Sequence, residues 1–308
     1  MKVNFQNYIV MAAVIVLAVA CDRKSKLQRS GSKTMEVSYF GQKKPGLLPE
    51  IFARDIISIT GRNEYGISFS PDFDEMYFSA SEKESLPSIY SSILKNGEWT
   101  TPTQINFTKG QKASEMEPFV SFDGNKLFFT AHNADYTDTK IWYSTRTKNT
   151  WSNAVKMRSS INDDEVFYLN QSKKGTFYYT NISKFKIYKA TAEIDSVYKI
   201  NDAQIEFGMH AFIAPSQEIL LLDSQNKEIL ERKDNDIYAC FRKKDGTWSK
   251  PINLGYKVNT EFDETCPSLT PDGKYLFFSR YDEAGELSNF YWVSAEVIHR
   301  LNPIKSAQ

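Results

Sequence analysis

Five stretches of this 308-residue chain place side chains that can bind ions or move protons at one repeating register. Glu64, Glu115, Glu165 and Glu264 each stand about eight residues before a tight-turn residue, and Gly208 holds that place in the remaining stretch. Two residues further on, on the same face of an alternating strand, come Gly66, Glu117, Phe167, His210 and Cys266. A ring of carboxylates suits Ca²⁺, Mg²⁺ or a basic ligand group, and uncompensated like charges would raise one another's pKa. The same glutamates could instead clasp the backbone of a neighbouring unit. Their recurrence favours the clasp, because scaffolding repeats while an active site breaks symmetry. The second set is asymmetric and is the better functional candidate. Glu117, His210 and Cys266 have the residue types of a metal site or of a nucleophile with its base. His210 nevertheless sits in an apolar context, GMHAFIAP, where a packed histidine is the commoner outcome, and His132 and His299 lie outside the register.

The elements that must carry these residues are strands. ISFSPDFDEMYFSA, PFVSFDGNKLFFTA and PSLTPDGKYLFFSR share an alternating strand, a tight turn and an apolar strand ending in Ser or Thr. Pro presets φ at the first turn corner and Asp-Gly suits the next. With two degenerate copies, YLNQSKKGTFYYT and FIAPSQEILLLD, the turns fall at Asp72, Asp123, Lys173, Ser216 and Asp272, a spacing of about fifty. A third strand follows in every copy around Ile89, Ile141, Ile187, Ile237 and Phe290, and a fourth opens with Trp99, Trp151 or Trp248 in copies one, two and four. Those indoles are expected to pack between neighbouring sheets.

Four short strands per repeat predict an all-β, single β-propeller of five four-stranded blades, with six as the alternative if a unit is hidden near 195–215 or 223–235. With turns such as Ser70-Pro71-Asp72 and Pro271-Asp272-Gly273-Lys274, the chain resembles, over residues 64–295, the WD-repeat-like family typified by the TolB periplasmic propeller with its S-P-D-G-K turn. The last copy lacks its own fourth strand, so an orphan strand within Pro49 to Ile59 is expected to close the ring. In that fold the candidate channel-mouth ligand site comprises Glu64, Glu115, Glu117, Glu165, His210 and Glu264, with no catalytic residue, metal or cofactor assigned.

The N-terminus carries an address. Lys2 precedes twelve apolar residues, Ile9 to Ala20, the length of a signal-peptide core and too short to span a bilayer. Leu17-Ala18-Val19-Ala20-Cys21 resembles the lipobox of bacterial lipoproteins, which implies cleavage before Cys21 and its lipidation; an ordinary secretory signal is the alternative. The expected organisation is a signal at 1–20, a polar tether at 21–46 and a propeller at 47–308. Cys240 and Cys266 are expected as buried free thiols rather than as a disulfide.

Equal numbers of acidic and basic residues, 38 each, and the lack of a basic stripe exclude nucleic acid as the expected partner. Zincin, C-x-x-C, nucleophile-elbow, P-loop, Rossmann and EF-hand signatures are all missing. The resulting expectation is a monomeric binding module, anchored by lipid to a bacterial membrane, the outer membrane being favoured, and facing an envelope protein, peptide or glycan. A carbohydrate-active hydrolase or lyase using channel carboxylates, Glu117 paired with Glu64, Glu165 or Glu264, is the alternative.

Overall fold

A computed structural model describes residues 39–303 apart from 149, 193–197 and 230. The expected export signal, Cys21 and the expected tether as far as residue 38 lie outside the described residues, as does the chain after Pro303. No helix among the described residues is long and apolar enough to cross a membrane.

The strands form five antiparallel sheets, each a meander running from an inner to an outer strand. Blade one uses Arg62–Phe69, Glu75–Glu82 and Ser88–Lys95, with short outer strands Glu98–Trp99 and Thr103–Ile105. Blade two repeats this with Ser114–Val120, Lys126–His132, Lys140–Thr147, Thr150–Trp151 and Val155–Lys156. Blade three is Val166–Gln171, Phe177–Asn181, Lys186–Ala192 and Tyr198–Asp202. Its outer strand occupies the segment where a hidden sixth unit was considered; there are five blades. Blade four is Met209–Ile213, Ile219–Gln225, Asn235–Phe241 and Ile252–Asn253. Blade five is Glu264–Leu269, Tyr275–Tyr281 and Ser288–Ser294, and its outer strand is Glu50–Ile51, paired antiparallel to Tyr291 and Trp292.

Ring closure is as expected but smaller. Only Glu50 and Ile51 of the orphan segment are strand; Ala53 and Asp55 adopt positive φ and turn the chain into a loop. The fold also starts earlier than residue 47. Tyr39 is buried, with its ring 5.0 Å from Trp292 and 5.6 Å from Tyr275. Gln42 donates to Ile51 O and accepts from Ala53 N. The end of the expected tether is therefore part of the seam blade, because its aromatic and amide side chains complete a sheet that has only two residues of outer strand.

The three tryptophans pack as the repeat demands. Trp151 donates from Nε1 to Tyr77 Oη of the preceding blade at 2.6 Å, with Arg146 stacked 4.1 Å from its ring. Trp248 meets Tyr178 edge-on across the next interface but one, and Trp99 stacks on Phe40 at the seam.

Candidate functional site

Every inner strand carries the same defect. Its pairing register slips between Tyr65 and Ser68, Met116 and Phe119, Phe167 and Asn170, Met209 and Phe212, and Thr265 and Ser268. Within each slip one residue takes a left-handed conformation: Gly66, Glu117, Tyr168, His210 and Cys266, with φ of 60°, 56°, 55°, 40° and 53°. A bulge of this kind re-aims a side chain, and non-glycine residues hold such φ values at a cost of roughly 1–3 kcal/mol each. Gly66 suits a close approach: a Cβ there would lie 3.1 Å from Glu117 Cα.

This register corrects the sequence reading of blade three. The residue equivalent to Glu117 is Tyr168, not Phe167, and the turn position is Lys174, not Lys173. Val166 then takes the place assigned to Glu165. Glu165 is half-buried and is held by its backbone, its N–H donating to Ser183 Oγ and its C=O accepting from Ile182 N. The degenerate YLNQSKKGT offers two adjacent lysines as turn candidates, so alternation alone leaves a one-residue slip open.

Where glutamate does hold the clasp position, it clasps. Glu115 accepts from Phe107 N at 2.9 Å and Thr108 N at 2.6 Å. Glu64 accepts from Ile59 N, Arg62 Nε and Asn289 Nδ2. Glu264 accepts from Thr260 N, Thr260 Oγ1 and Arg280 Nε. The Glu64 and Glu264 side chains have no exposed surface, and desolvation raises both pKa values against these donors. These three tie the inner strand to the loop that leads into it and are not presented to an open channel mouth. In blade four Gly208 holds the clasp position with φ of 122°, which L side chains rarely adopt, and a Cβ there would crowd Leu222 Cδ1 at 2.5 Å.

The asymmetric set converges. Donor atoms of Glu117, His210 and Cys266 all lie within 4.8 Å of one another. His210 Nδ1 is 2.7 Å from Asp223 Oδ2, and His210 Nε2 is 3.6 Å from Glu117 Oε1. Glu117 Oε2 is held by Thr130 Oγ1 at 2.9 Å and Tyr168 N at 3.0 Å, while Asp223 Oδ2 also accepts from Cys266 N at 2.8 Å. Phe167 and Tyr168 flank the imidazole edge-on at 4.9 and 5.0 Å. Burial opposes charge on His210, but the Asp223 carboxylate outweighs it and holds the imidazolium well above the ordinary histidine range. Burial pushes the Cys266 thiol up. A buried, protonated thiol is the reverse of an activated nucleophile, so the geometry does not support the nucleophile–base reading.

Asp223 is the residue that the sequence reading missed. The second-strand residue beside each bulge is Ser79, Thr130, Thr180, Asp223 or Ser279, paired across to Ile89, Ile141, Ile187, Ile237 and Phe290. Ser79 and Thr130 accept from the bulge N–H of the following blade, as Asp223 does. Four blades carry a hydroxyl there and blade four a carboxylate, although the Thr180 and Ser279 hydroxyls are buried without a partner. The signal was readable as the one Asp among strand ends otherwise written Phe-Ser, Phe-Thr, Tyr-Thr and Phe-Ser.

Beneath the cluster Tyr168 reaches across to blade five and donates from Oη to Pro267 O, and Phe119, Phe212 and Leu269 line a small cavity toward the turns. Toward the other rim stand Tyr65 and Tyr281; burial raises both phenols, and the second, pushed up to about 12, feels the field of Cys266, His210 and Asp223. That rim also carries exposed Tyr136, Phe185, Ile229 and Tyr256, on loops between the second and third strands or leading to the next inner strand.

No protein-family model and no curated protein matches the chain. Solved structures do. A structure titled only as a glycoside hydrolase matches with a TM-score of 0.55 at 10% identity, covering 86% of this chain and 95% of its own. The native arabinanase of Bacillus subtilis matches at 0.51 and 11% identity, covering 75% and 93%. TolB from Acinetobacter baumannii matches at 0.47 and 14% identity; the alignment covers 75% of this chain and spans 57% of that one. At these identities the likeness to the first two is one of fold, the β-propeller.

Proposed function

We propose that this chain is a lipid-anchored β-propeller of the bacterial cell envelope that acts as a binding module, with its ligand seated in the channel over Glu117, His210, Asp223 and Cys266. The observation carrying this reading is the break in symmetry: three blades put Glu, His and Cys at a position aimed into the channel, and blade four adds a carboxylate where the others have hydroxyls. The aromatic side chains exposed on the same rim support a peptide or glycan partner, since such rings give contact area at small entropic cost. The lipobox-like Leu17–Cys21 supports the anchor.

A second reading, a carbohydrate-active enzyme, is favoured by the two carboxylates, Glu117 and Asp223, brought to either side of one histidine. The pairs that Glu117 was expected to form with Glu64 or Glu264 are not available to it, because those two are consumed as clasps.

The test is a thermal-shift panel of muropeptides and of neutral and uronic oligosaccharides, run on the wild type and on His210→Ala. One class is expected to raise the wild-type midpoint by several degrees and to leave His210→Ala unmoved. A panel without effect on the wild type, or with equal effect on the variant, would sink the reading; turnover of an oligosaccharide would move it to the enzyme.

A further inference from the structure

We propose that Glu117, His210 and Cys266 bind one divalent transition-metal ion of the zinc class, leaving a coordination position open to the channel. The inference deepens the ligand-seat reading and rests on it for the purpose of the ion, but the binding itself is read separately.

Three features carry it. The first is distance. Tetrahedral zinc with bonds of about 2.0–2.3 Å places its donors about 3.3–3.8 Å apart. His210 Nε2 and Glu117 Oε1 are 3.6 Å apart, too far for a hydrogen bond and right for a shared ion. The other separations, all within 4.8 Å, need about one ångström of side-chain adjustment. The second is orientation by outer partners. Asp223 receives His210 Nδ1 at 2.7 Å, which directs Nε2 inward as in a carboxylate–histidine–metal triad. Thr130 and Tyr168 N hold one oxygen of Glu117 and leave the other facing His210. Asp223 also accepts from Cys266 N, so one carboxylate fixes the backbone of one ligand and the ring of another.

The third is access. Glu117 and Cys266 are each 4% exposed, while the His210 side chain keeps 20% of its surface. Three protein donors with one open side is the pattern of a site that takes an exogenous ligand, not of a closed structural zinc. Sulfur and nitrogen donors select against Ca²⁺ and Mg²⁺. Binding releases the thiol proton of Cys266 and any proton on His210 Nε2, so apparent affinity rises with pH.

The experiment is a Co²⁺ titration of the full-length chain, purified in detergent and stripped with chelator, followed by Zn²⁺ displacement. Visible bands of low-symmetry cobalt and a thiolate-to-cobalt charge-transfer band should saturate at one equivalent and vanish with Zn²⁺. Cys266→Ser should lose the charge-transfer band, Asp223→Asn should bind about 10–100-fold more weakly, and Glu165→Ala should titrate as wild type. The wild-type titration needs no variant to fold. Absence of bands in the wild type, or a charge-transfer band that survives in Cys266→Ser, overturns the assignment. A positive titration alongside a silent ligand panel would retain the metal site and discard the binding-module reading.

Discussion

Replacing Glu264 by Ala should unfold the propeller more readily than any change at Glu165, although sequence register made the two equivalent. Glu264 is fully buried and accepts three hydrogen bonds, from Thr260 N at 2.9 Å, Thr260 Oγ1 at 2.5 Å and Arg280 Nε at 2.7 Å. Its removal leaves the Thr260 amide unpaired, at about 1–3 kcal/mol, and Arg280 nearly buried without its carboxylate. Breaking a buried pair costs about 3–5 kcal/mol, but Arg280 is 13% exposed and keeps its bond to Val258 O, which puts the total near 3 kcal/mol. A domain of this size loses about 2 °C per kcal/mol, so the midpoint should fall by about 6 °C. Glu165→Ala should change stability by less than about 0.5 kcal/mol. Urea denaturation followed by tryptophan fluorescence measures both. Equal losses at the two positions, or a loss below about 1 kcal/mol for Glu264→Ala, would refute the clasp.

Three further outcomes follow from the packing. Tyr39→Ala should cost about 3 kcal/mol by calorimetry, because its ring is buried on Trp292 and Tyr275 at the seam; a neutral effect would return residue 39 to the tether. Trp151→Phe should cost about 1 kcal/mol in urea through the lost bond to Tyr77, and Tyr77→Phe should cost more, since it also removes the phenol's bond to Glu75 Oε2; the double variant should lose less than the sum of the two because they share one bond. Asp123 is held below the usual carboxylate range by the Ser121 hydroxyl and the Asn125 amide. Its folded pKa is depressed, so its stabilisation is complete above about pH 4 and fades as pH falls through the folded value. The stability gap between wild type and Asp123→Asn should therefore close in acid.

Much of the architecture was legible because the repeats are short-range chemistry. Pro-Asp and Asp-Gly turns, alternating strands and the recurrent Trp fix four strands per unit, and a missing last strand beside an orphan first one implies closure. The misreadings have physical causes. Blade three has Lys-Lys-Gly where blades one, two and five have Asp, so its register slid by one and Glu165 was counted in the ring. The seam reaches back to Tyr39, the first described residue, because tertiary burial of one aromatic overrides a polar, tether-like neighbourhood. Within the site, the expectation that symmetric glutamates serve structure and asymmetric residues converge agrees with the bonding of Glu64, Glu115 and Glu264 and the grouping of Glu117, His210 and Cys266. Asp223 was overlooked because it lies on the second strand, and only the register across blades sets it against Ser79, Thr130, Thr180 and Ser279.

Asp223→Ser gives blade four the hydroxyl that the other blades carry, and it separates scaffold from site in one molecule. The measurement is the thermal midpoint of wild type and Asp223→Ser, each with and without saturating Zn²⁺. The account predicts a variant that folds with a midpoint within a few degrees of the wild type, since a serine can accept from Cys266 N as Ser79 accepts from Glu117 N, but with its Zn²⁺ stabilisation largely lost. An unfolded variant, or one stabilised by Zn²⁺ as fully as the wild type, would contradict it.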